Sequence, residues 1–388
     1  MSWREITLGD AIHVKHGFAF KGQHFSNNGE YIVLTPGNFH EEGGFRLRLG
    51  KDRFYTGEIP EEYILEEGDL IIAMTEQGPG LLGSSALIPD GGKFLHNQRL
   101  GLIQDLDETA LDKKFLYYLF NTRFVRGQIS GSATGVKVRH TAPERIYRVK
   151  ATVPSKVPEQ KKIASILAAY DDLIENNRRR IQLLEQTTRL LYKEWFVHLR
   201  FPGHEHVKII DGVPEGWERK TLGDVVEVAK GKNITKDSAK DGSVPVVAGG
   251  LSPAYNHDTA NAIGPVITVS ASGANAGYVN LYLEDIWASD CSYISRTSTE
   301  SLYYFYLLLT SKQKEIFGFQ KGAAQPHVYP KDLKRLPLLV PMETIVRLFE
   351  ESVSHNFFQV KGLLEQNKLL VKARDLLLPR LMNGEITV

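Results

Sequence analysis

The feature that most constrains the fold of this chain is an internal duplication. The opening Trp3-Arg-Glu-Ile-Thr-Leu-Gly-Asp10 returns as Trp217-Glu-Arg-Lys-Thr-Leu-Gly-Asp224, with five of the eight positions identical. Each copy leads into a strand-like stretch that ends at a basic turn with a glycine, His16-Gly17-Phe18 in one and Lys230-Gly231-Lys232 in the other. Self-similarity of this kind indicates that two segments of the chain share one fold.

The end of each half repeats as well. Val153-Pro154 and Val340-Pro341 each precede a long helical pattern, and both patterns contain Leu-Leu-Glu-Gln, at 183–186 and 363–366. A chain of 388 residues is longer than one ordinary core supports. The predicted order is therefore globular segment, long helix, globular segment, long helix. The predicted boundaries are 1–154 for a first domain, 155–200 for a first spacer helix, 201–216 for a linker, 217–341 for a second domain and 342–388 for a second spacer helix.

Both globular segments are predicted to be rich in β-structure. Short β-branched runs bounded by Gly, Pro and Asn lie at 31–35, 70–73, 244–247 and 265–269. A small helix is predicted late in each segment, over 113–126 and 301–317, and a glycine-rich turn follows each helix. The interiors otherwise differ, so the two segments are predicted to share a fold and to bind different ligands.

Each long helix carries an apolar seam with the spacing of a coiled coil. At alternating steps of three and four residues, eight of eleven positions over 160–195 and seven of ten over 342–374 are apolar. Asn177 in the first seam aligns with Asn356 in the second, and a polar seam residue fixes register. The alternative is that each helix belongs to the core of its own domain.

Connectivity decides the direction of the two helices if they pack on each other. The second helix starts where the second domain ends, so it must run back along the first, antiparallel to it. The predicted fold class is α+β, with two β-rich domains joined by two long antiparallel coiled-coil helices in a pseudo-two-fold arrangement. About 40 residues at ~1.5 Å each give a rod of roughly 60 Å, which exceeds one DNA turn of about 34–36 Å.

Composition is that of a soluble globular protein, with 42% hydrophobic and 24% charged residues. The single cysteine, Cys291, excludes an intramolecular disulfide. No run approaches the roughly 20 apolar residues of a membrane span, and we expect a cytoplasmic protein. The net charge of +1 is low for a free-standing DNA binder. Any DNA contact must therefore rest on local charge or on partner subunits.

The order of these motifs resembles the specificity subunits of Type I restriction–modification systems over nearly the whole chain. The resemblance rests on the duplicated Trp…Leu-Gly-Asp opening and on the helix start Val-Pro-Glu-Gln-Lys-Lys-Ile-Ala at 157–164. It also rests on Leu-Leu-Glu-Gln at 183–186 and on the linker that runs from Trp195 through Phe201-Pro-Gly-His204 into Gly216-Trp217-Glu218. Each motif is modest alone, and their order is specific.

The resemblance implies that each globular segment is a target recognition domain, folded like the DNA-reading domain of an adenine methyltransferase. It implies that the chain binds a bipartite, asymmetric site on double-stranded DNA. The helices would act as a spacer and as a docking surface for two modification (methyltransferase) subunits. Restriction subunits with the nuclease and translocase would join through that core. The resemblance places S-adenosylmethionine, ATP and Mg²⁺ on the partner subunits, so we expect no cofactor in this chain.

The chain lacks sequence motifs that would make it an enzyme by itself. It has no Gly-x-x-x-x-Gly-Lys-Ser/Thr for nucleotide phosphates and no Pro-Pro, which the Asn/Asp-Pro-Pro-Tyr/Phe motif of an adenine methyltransferase requires. Pro89-Asp90-Gly-Gly-Lys93 lacks a second acid spaced for a nuclease metal and is typical of a turn. His204-Glu-His206 supplies two metal ligands, too few for a site. We therefore expect no catalytic and no metal-binding residues.

Candidate DNA contacts in the first domain lie in polar turns. Asn and Gln suit adenine, and Arg and Lys suit guanine, in the major groove. The strongest stretch is 131–140, where glycine lets the backbone approach phosphate and hydroxyl and basic side chains follow. The alternatives are a solvated turn for this stretch, and a local turn conformation for Asn38 and Gln77. The candidates in this domain are Lys15, Lys21, Asn38, Gln77, Ser132, Thr134, Lys137, Arg139 and His140.

The second domain has a similar turn, Lys321-Gly-Ala-Ala-Gln325-Pro-His327-Val-Tyr329, at the equivalent point. The candidates in this domain are Lys230, Lys232, Asn233, Ser272, Asn275, Lys321, Gln325, His327 and Tyr329. The helical run Arg178-Arg179-Arg180 either docks a partner subunit or forms a solvated face.

Two other functions remain open from the residues alone. Two β-rich modules on a coiled-coil rod could bind protein or carbohydrate, but the recurrence of Gly/Ser/Lys turns at equivalent places favours DNA. A stand-alone DNA methyltransferase or nuclease is disfavoured by the missing motifs.

Overall fold

The computed structural model describes residues 2–48, 50–78, 80–322 and 325–388. The chain divides into two compact units, which we call the first unit, Met1–Glu175 with Lys368–Val388, and the second unit, Asn176–Asn367. Each unit combines short strands with helices, so the fold is mixed α and β, as predicted. Among the described residues, no helix combines the length and the apolar character that a membrane span needs.

The first unit is built on two sheets. Its strands are β1 (Trp3–Thr7), β2 (His13–His16), β3 (Phe25–Ser26), β4 (Tyr31–Val33), β5 (Arg53–Tyr55), β6 (Ile64–Leu65), β7 (Leu70–Ala73), β8 (Thr75–Glu76), β9 (Ser85–Leu87), β10 (Phe94–Leu95), β11 (Leu100–Gln104), β12 (Arg139–His140) and β13 (Lys150–Pro154). One sheet is antiparallel in the order β2-β11-β7-β9, and the other is mixed in the order β3-β5-β4-β10-β6. Strand β7, buried at all four residues, lies in the centre of the first sheet because its side chains are apolar on both faces.

Three short helices, α1 (Lys113–Phe120), α2 (Arg123–Gly131) and α3 (Pro143–Tyr147), complete the strand region of the first unit. The single helix predicted over 113–126 is divided, because the Thr122 hydroxyl accepts from the Val125 N–H and caps a new helix. Asn121 lies at the break, where its side chain accepts from the Ser85 N–H at 3.1 Å and donates to the Tyr117 carbonyl at 3.0 Å. These bonds hold the break against the sheet.

The second unit repeats this plan with a smaller second sheet. Its elements are β14 (Ile209–Ile210), β15 (Val213–Pro214), β16 (Glu218–Thr221), α5 (Leu222–Val225), β17 (Ala229–Lys230), β18 (Val244–Val247), β19 (Tyr255–His257), β20 (Val266–Ser270), β21 (Val279–Tyr282), β22 (Trp287–Ala288), β23 (Cys291–Ser295), α6 (Leu302–Ser311), α7 (Gln313–Phe317), α8 (Pro330–Leu333) and β24 (Pro337–Val340). The main sheet has the order β17-β23-β20-β21, and a three-stranded sheet has the order β19-β18-β22. The helix predicted over 301–317 divides into α6 and α7.

The duplicated opening forms the same structure in both units. In the first unit β1 pairs with β13 so that Trp3 faces Pro154, and in the second β16 pairs with β24 so that Glu218 faces Val340, which is the same register. The Leu-Gly-Asp motifs repeat a close approach: a Cβ on Gly9 would lie 2.6 Å from the Tyr147 side chain, and one on Gly223 would lie 2.9 Å from the Lys334 side chain. Glycine is therefore required at this point of each copy.

The glycine of each basic turn is required for a similar reason. A Cβ on Gly17 would lie 2.1 Å from the Asn97 carbonyl oxygen, and one on Gly231 would lie 2.2 Å from the Ser289 carbonyl oxygen. In each unit the backbone at this turn therefore touches a neighbouring segment directly.

Two long helices, α4 (Val157–Tyr192) and α9 (Glu343–Met382), each contribute residues to both units. Within the first unit Arg374 donates to Asp171 at 2.6 Å. Within the second unit the Asn177 amide donates to Asn367 at 2.9 Å, and the Tyr192 and Phe349 rings meet edge to face. Within the second unit, Asn177 and Tyr192 of α4 therefore meet Asn367 and Phe349 of α9 in reverse order, so these parts of the two helices run antiparallel. Among the buried seam positions of the two helices, the apolar ones are Ile163, Leu167, Ile174, Phe349, Val353, Val360 and Leu363.

Candidate nucleic-acid interface

Each unit presents a tight hairpin, and the two hairpins are closed by the same pair of backbone hydrogen bonds. In the first unit Thr134 and His140 exchange both backbone hydrogen bonds, at 3.0 and 2.8 Å. In the second unit Lys321 and His327 exchange the same pair, at 2.9 and 2.8 Å. We call these turns the first hairpin (134–140) and the second hairpin (321–327).

The second residue of each hairpin is a glycine with the same backbone conformation. Gly135 has a φ of 100° and Gly322 a φ of 97°, a region that residues with a side chain rarely adopt. A Cβ on Gly135 would also lie 2.0 Å from the Val138 carbonyl oxygen. Pro143 and Pro330 follow the two hairpins at the same distance and open α3 and α8. The turn that recurs in the sequence thus recurs as a structure.

One buried carboxylate, that of Glu76, fixes the base of the first hairpin. Glu76 is 2% exposed, and Arg139 donates to its Oε1 at 3.1 Å. Its Oε2 accepts the backbone N–H groups of residues 80–82 at 2.9 to 3.1 Å. Arg139 also donates to the Ser130 carbonyl. The Arg139 guanidinium, a candidate for DNA contact, is therefore committed to holding the hairpin in place.

Hydroxyl groups near the first hairpin are engaged to different degrees. Arg145 donates to Thr134 Oγ1 at 3.1 Å, which leaves the hydroxyl proton of Thr134 for a ligand. The Ser132 hydroxyl donates to the Ile129 carbonyl at 3.0 Å at the end of α2. Of these two predicted phosphate donors, Thr134 is the better placed.

The tip of the first hairpin projects into solvent. Val136 is 98% exposed, and Lys137 beside it and His140 at the base are exposed as well. In the second hairpin Gln325 is exposed and His327 is half-buried. Ala323 and Ala324, part of the predicted second turn, lie outside the described residues.

The structure brings each hairpin beside another predicted loop. In the first unit β8 pairs with β12, so Glu76 faces Arg139 and the exposed Gln77 follows directly. In the second unit a bridge joins Ser272 to His327, and the half-buried Asn275 lies in the same loop as Ser272. Both loops are candidates on composition alone, but their pairing with the hairpins has no signal in the sequence.

The base of the second hairpin is held by an ion pair of its own. Lys321 donates to Asp332 at 2.6 Å, and Asp332 is 4% exposed. This hydrogen bond and the Lys321 charge hold the pKa of Asp332 below its ordinary value. On the other side, the Ser272 hydroxyl donates to Asp290. Lys321 and Ser272 are thus tied to the scaffold of the second unit, as Arg139 is in the first.

An aromatic pair lies beside the second hairpin. The His327 and Tyr329 rings stack at 5.9 Å with an interplanar angle of 10°. Tyr329 is 44% exposed, and the Lys331 ammonium lies 5.7 Å from its ring centroid. A flat, cation-backed ring at the surface is a suitable platform for a nucleobase or a sugar.

Three polar candidates in the second unit lie at the end of β17 and in the turn that follows it. Lys230 lies opposite Ser292 in the sheet and is exposed. Lys232 is exposed as well, with its ammonium 6.0 Å from the Trp287 ring centroid. Asn233 follows and is exposed. Their exposure and charge suit contact with a DNA backbone.

Two candidates in the first unit have structural partners. Asn38 is 2% exposed and donates to Asp52 Oδ1 at 2.8 Å, so it lies outside the surface that a base could reach. Lys15 is paired with Glu62 at 3.1 Å, and its ammonium lies 4.5 Å from the centroid of the Tyr63 ring. Lys21 is exposed.

Comparison with known proteins identifies the family. The family model for the Type I restriction modification DNA specificity domain matches residues 1–186 and again 214–347. The chain belongs to this family. Its role is DNA sequence recognition as a specificity subunit, and the two matches coincide with the duplicated halves described above.

Similar proteins carry the same designation. The MjaIX specificity subunit of Methanocaldococcus jannaschii is 28% identical over 300 residues, which is 71% of this chain and 69% of that protein. The HindI specificity subunit of Haemophilus influenzae is 23% identical and covers 99% of both chains. The crystal structure of the S subunit from M. genitalium has a TM-score of 0.62 at 17% identity and covers 98% of this chain and 96% of that one. That likeness supports the fold.

The remaining candidates of this specificity subunit lie outside the hairpins. Arg178, Arg179 and Arg180 are all exposed on α4. In the described ranges, no group of three or more His, Cys, Asp or Glu side chains is arranged to hold a metal ion. His204 Nδ1 lies 2.9 Å from the Phe201 carbonyl oxygen, within its own turn.

Proposed function

We propose that this specificity subunit binds a bipartite, asymmetric site on double-stranded DNA, with each unit reading one half. The observation that carries the proposal is the pair of hairpins, which share their closing backbone hydrogen bonds and a glycine of the same conformation but differ in sequence. A fixed scaffold with variable side chains is what two readers of unlike sequences need. The first hairpin with the Gln77 loop forms one reader, and the second hairpin with the Ser272 loop forms the other.

The phosphate contacts come from side chains around the two readers. The candidates that remain exposed supply positive charge or hydrogen-bond donors, and such contacts position the protein without reading sequence. In the first unit they are Lys21, Thr134, Lys137 and His140. In the second unit they are Lys230, Lys232 and Asn233.

The two long helices act as a spacer between the readers, in a coiled coil with pseudo-two-fold symmetry. The 36 residues of α4 extend about 54 Å at 1.5 Å each, longer than one DNA turn of about 34–36 Å. The polar contact of Asn177 with Asn367 supports a defined register. The length of the helices, rather than any side chain, then determines the number of base pairs between the half-sites.

Exposed apolar residues on the long helices support docking of two modification subunits. On α4 Leu190 is 54% exposed, and on α9 Leu369 and Leu376 are 68% and 61% exposed. Leu190 and Leu369 lie at corresponding points of the two helices when Asn177 is aligned with Asn356. Two equivalent apolar surfaces suit two copies of one partner. Arg178–Arg180 form the polar part of the surface on α4.

Catalysis belongs to the partner subunits in this proposal. The modification subunits use S-adenosylmethionine to methylate adenine, and the restriction subunits use ATP and Mg²⁺ for translocation and cleavage. This chain carries none of these cofactors and directs both activities to its DNA site.

The test is to purify this chain with the modification subunit encoded beside it and to map methylated adenines in host DNA with and without the chain. We expect co-purification and one split motif whose methylation disappears when the chain is deleted. An unchanged methylation map, together with no retention of DNA by the purified complex at low salt, would contradict the proposal.

A further inference from the structure

The first hairpin presents an apolar side chain to solvent in a fixed position. Val136 is 98% exposed. A single exposed valine is ordinary on a protein surface, so exposure alone says little. What distinguishes Val136 is that it stands at the tip of a turn whose base is held by several hydrogen bonds and an ion pair.

Two sets of contacts hold the base. Glu76 joins Arg139 of the hairpin to the backbone of residues 80–82 through a buried carboxylate. Arg145 joins the two ends of the hairpin by donating to Thr134 Oγ1 at 3.1 Å and to the His140 carbonyl at 3.5 Å. A side chain presented by such a scaffold loses little conformational freedom when it meets a ligand.

The second hairpin shows which positions of the turn are scaffold. Both hairpins have glycine at the second position and histidine at the last, and both have the same backbone bonds. The positions between them differ: the sequence has Val136-Lys-Val-Arg139 in the first hairpin and Ala323-Ala-Gln-Pro326 in the second. The shared glycine, histidine and closing hydrogen bonds suit the feature that both half-sites have in common, which is the phosphate backbone. Within the variable tip, the uncharged Val136 suits the feature in which the half-sites differ, which is the bases.

We infer that Val136 is a specificity-determining residue that contacts the C5-methyl group of a thymine in the major groove of the first half-site. The thymine methyl is the one apolar group that a base pair presents in the major groove, and apolar side chains recognise it by contact. Lys137 and His140 bring the tip to the duplex through phosphate contacts. The inference rests on the proposed function, because it assumes that the first unit reads DNA.

The test removes the methyl group from the DNA and the valine from the protein. The complex with the modification subunits is bound to duplexes that carry the mapped motif, with each thymine of the first half-site replaced in turn by deoxyuridine. For one thymine we expect binding by the wild-type complex to weaken about fourfold, the change that burying one methyl group produces. A complex with Val136→Ala should bind the thymine and deoxyuridine duplexes equally.

A matched control keeps the result specific. The control variant is Ile263→Ala, because Ile263 is also an exposed apolar residue, at 65% exposure, but lies in the second unit. A complex with this variant should still bind the thymine duplex about fourfold more tightly than the deoxyuridine duplex. Because Val136 is almost fully exposed, its replacement is expected to leave folding unchanged, and the intact second half-site in the methylation map verifies this.

Two results would overturn the inference while leaving the proposed function standing. One is a first half-site without thymine on either strand. The other is equal discrimination between thymine and deoxyuridine by wild type and Val136→Ala at every position. If the complex neither binds nor methylates a split motif, the proposed function fails, and the inference fails with it.

Discussion

Arg139 and Glu76 form an ion pair in which the carboxylate is buried, with 3.1 Å between Nη1 and Oε1 and side-chain exposures of 33% and 2%. The two residues are 63 positions apart in the chain. The same carboxylate accepts three backbone N–H groups of residues 80–82. One side chain therefore determines where the first hairpin lies relative to the loop that carries Gln77.

Removing this carboxylate should destabilise the protein and impair one reader. Glu76→Ala leaves a guanidinium and three N–H groups without their acceptor, so we expect the free energy of unfolding to fall by about 3–5 kcal/mol. Glu62→Ala is the control, because Glu62 also pairs with a cation, Lys15, but is 65% exposed; its loss should be about 0–1 kcal/mol. Urea denaturation measures both. Equal losses would show that the burial of Glu76 has no energetic consequence.

The glycine of the first basic turn should not tolerate a side chain. A Cβ on Gly17 would meet the Asn97 carbonyl oxygen at 2.1 Å, and this backbone atom cannot move aside easily. Gly17→Ala should lower the free energy of unfolding by about 1–3 kcal/mol. Gly22→Ala is the matched control because a Cβ at Gly22 meets nothing within 4 Å; it should raise stability by about 0.4–1 kcal/mol. If Gly17→Ala and Gly22→Ala unfold at the same denaturant concentration, the close approach of Gly17 to the Asn97 carbonyl oxygen is refuted.

The polar contact between the long helices can be measured by a double-mutant cycle. The Asn177 amide donates to Asn367 Oδ1 at 2.9 Å and to Gln366 Oε1 at 3.0 Å. Asn177→Ala, Asn367→Ala and the double variant should give a coupling energy of about 0.5–1.5 kcal/mol in urea denaturation. A coupling indistinguishable from zero would show that the two side chains do not interact in solution.

Acid should destabilise the protein partly through His96. This residue is fully buried, and burial, the largest effect, lowers its pKa to about 4. The folded state then binds fewer protons than the unfolded state, in which the pKa is near its ordinary 6.5. The stability that His96 contributes is present above pH 6.5 and is lost as the pH falls towards 4, by up to about 3 kcal/mol.

The control for this effect is His96→Gln, which keeps a donor for the Leu100 carbonyl, 3.0 Å from His96 Nε2 in wild type, and does not titrate. Thermal unfolding of wild type and variant between pH 4 and 7 measures the difference. We expect the variant to lose less stability than wild type on acidification. Parallel curves would contradict the assignment of a neutral, buried imidazole.

The exposed leucines of the long helices should each support one partner. Leu190→Ser and Leu369→Ser remove apolar area from corresponding points of α4 and α9, where these side chains are 54% and 68% exposed. Each variant should retain one modification subunit instead of two, as mass measurement of the purified complex would show. Leu251→Ser, at a 44% exposed position in a loop of the second unit, should retain both. Full retention by all three variants would place the docking surface elsewhere.

Local patterns in the sequence predict much of the fold. Strands β7 and β18 have the bounds of the predicted runs 70–73 and 244–247, because β-branched runs between turn residues are a local signal. The two long helices follow from an apolar period sustained over many turns. The breaks at Thr122 and Lys312 escape prediction, because the continuation of a helix depends on capping and on contacts with the sheet.

The site is less predictable, because contacts with residues far apart in the chain determine whether each polar side chain is buried or exposed. Asn38 and Gln77 both lie in turns after apolar strands, and the sequence gives no reason to prefer one as a DNA contact. In the structure Asn38 is buried against Asp52, whereas Gln77 is exposed. The sequence makes Arg139 a good candidate for DNA contact, but in the structure its guanidinium is paired with Glu76. Glu76 itself is unremarkable in the sequence, since no pattern indicates that a surface-type residue will be buried. The repetition of the glycine turn is the signal that does locate the hairpins.

Independent reading by the two units is tested most directly by exchanging segment 20–150 with the matching segment of a related specificity subunit and then mapping methylated adenines. If each unit reads one half-site independently, one half of the split motif changes to that of the related protein. The other half and the spacer length stay the same. A change in both halves, or in the spacer, would show that the two units are not independent readers held apart by the long helices.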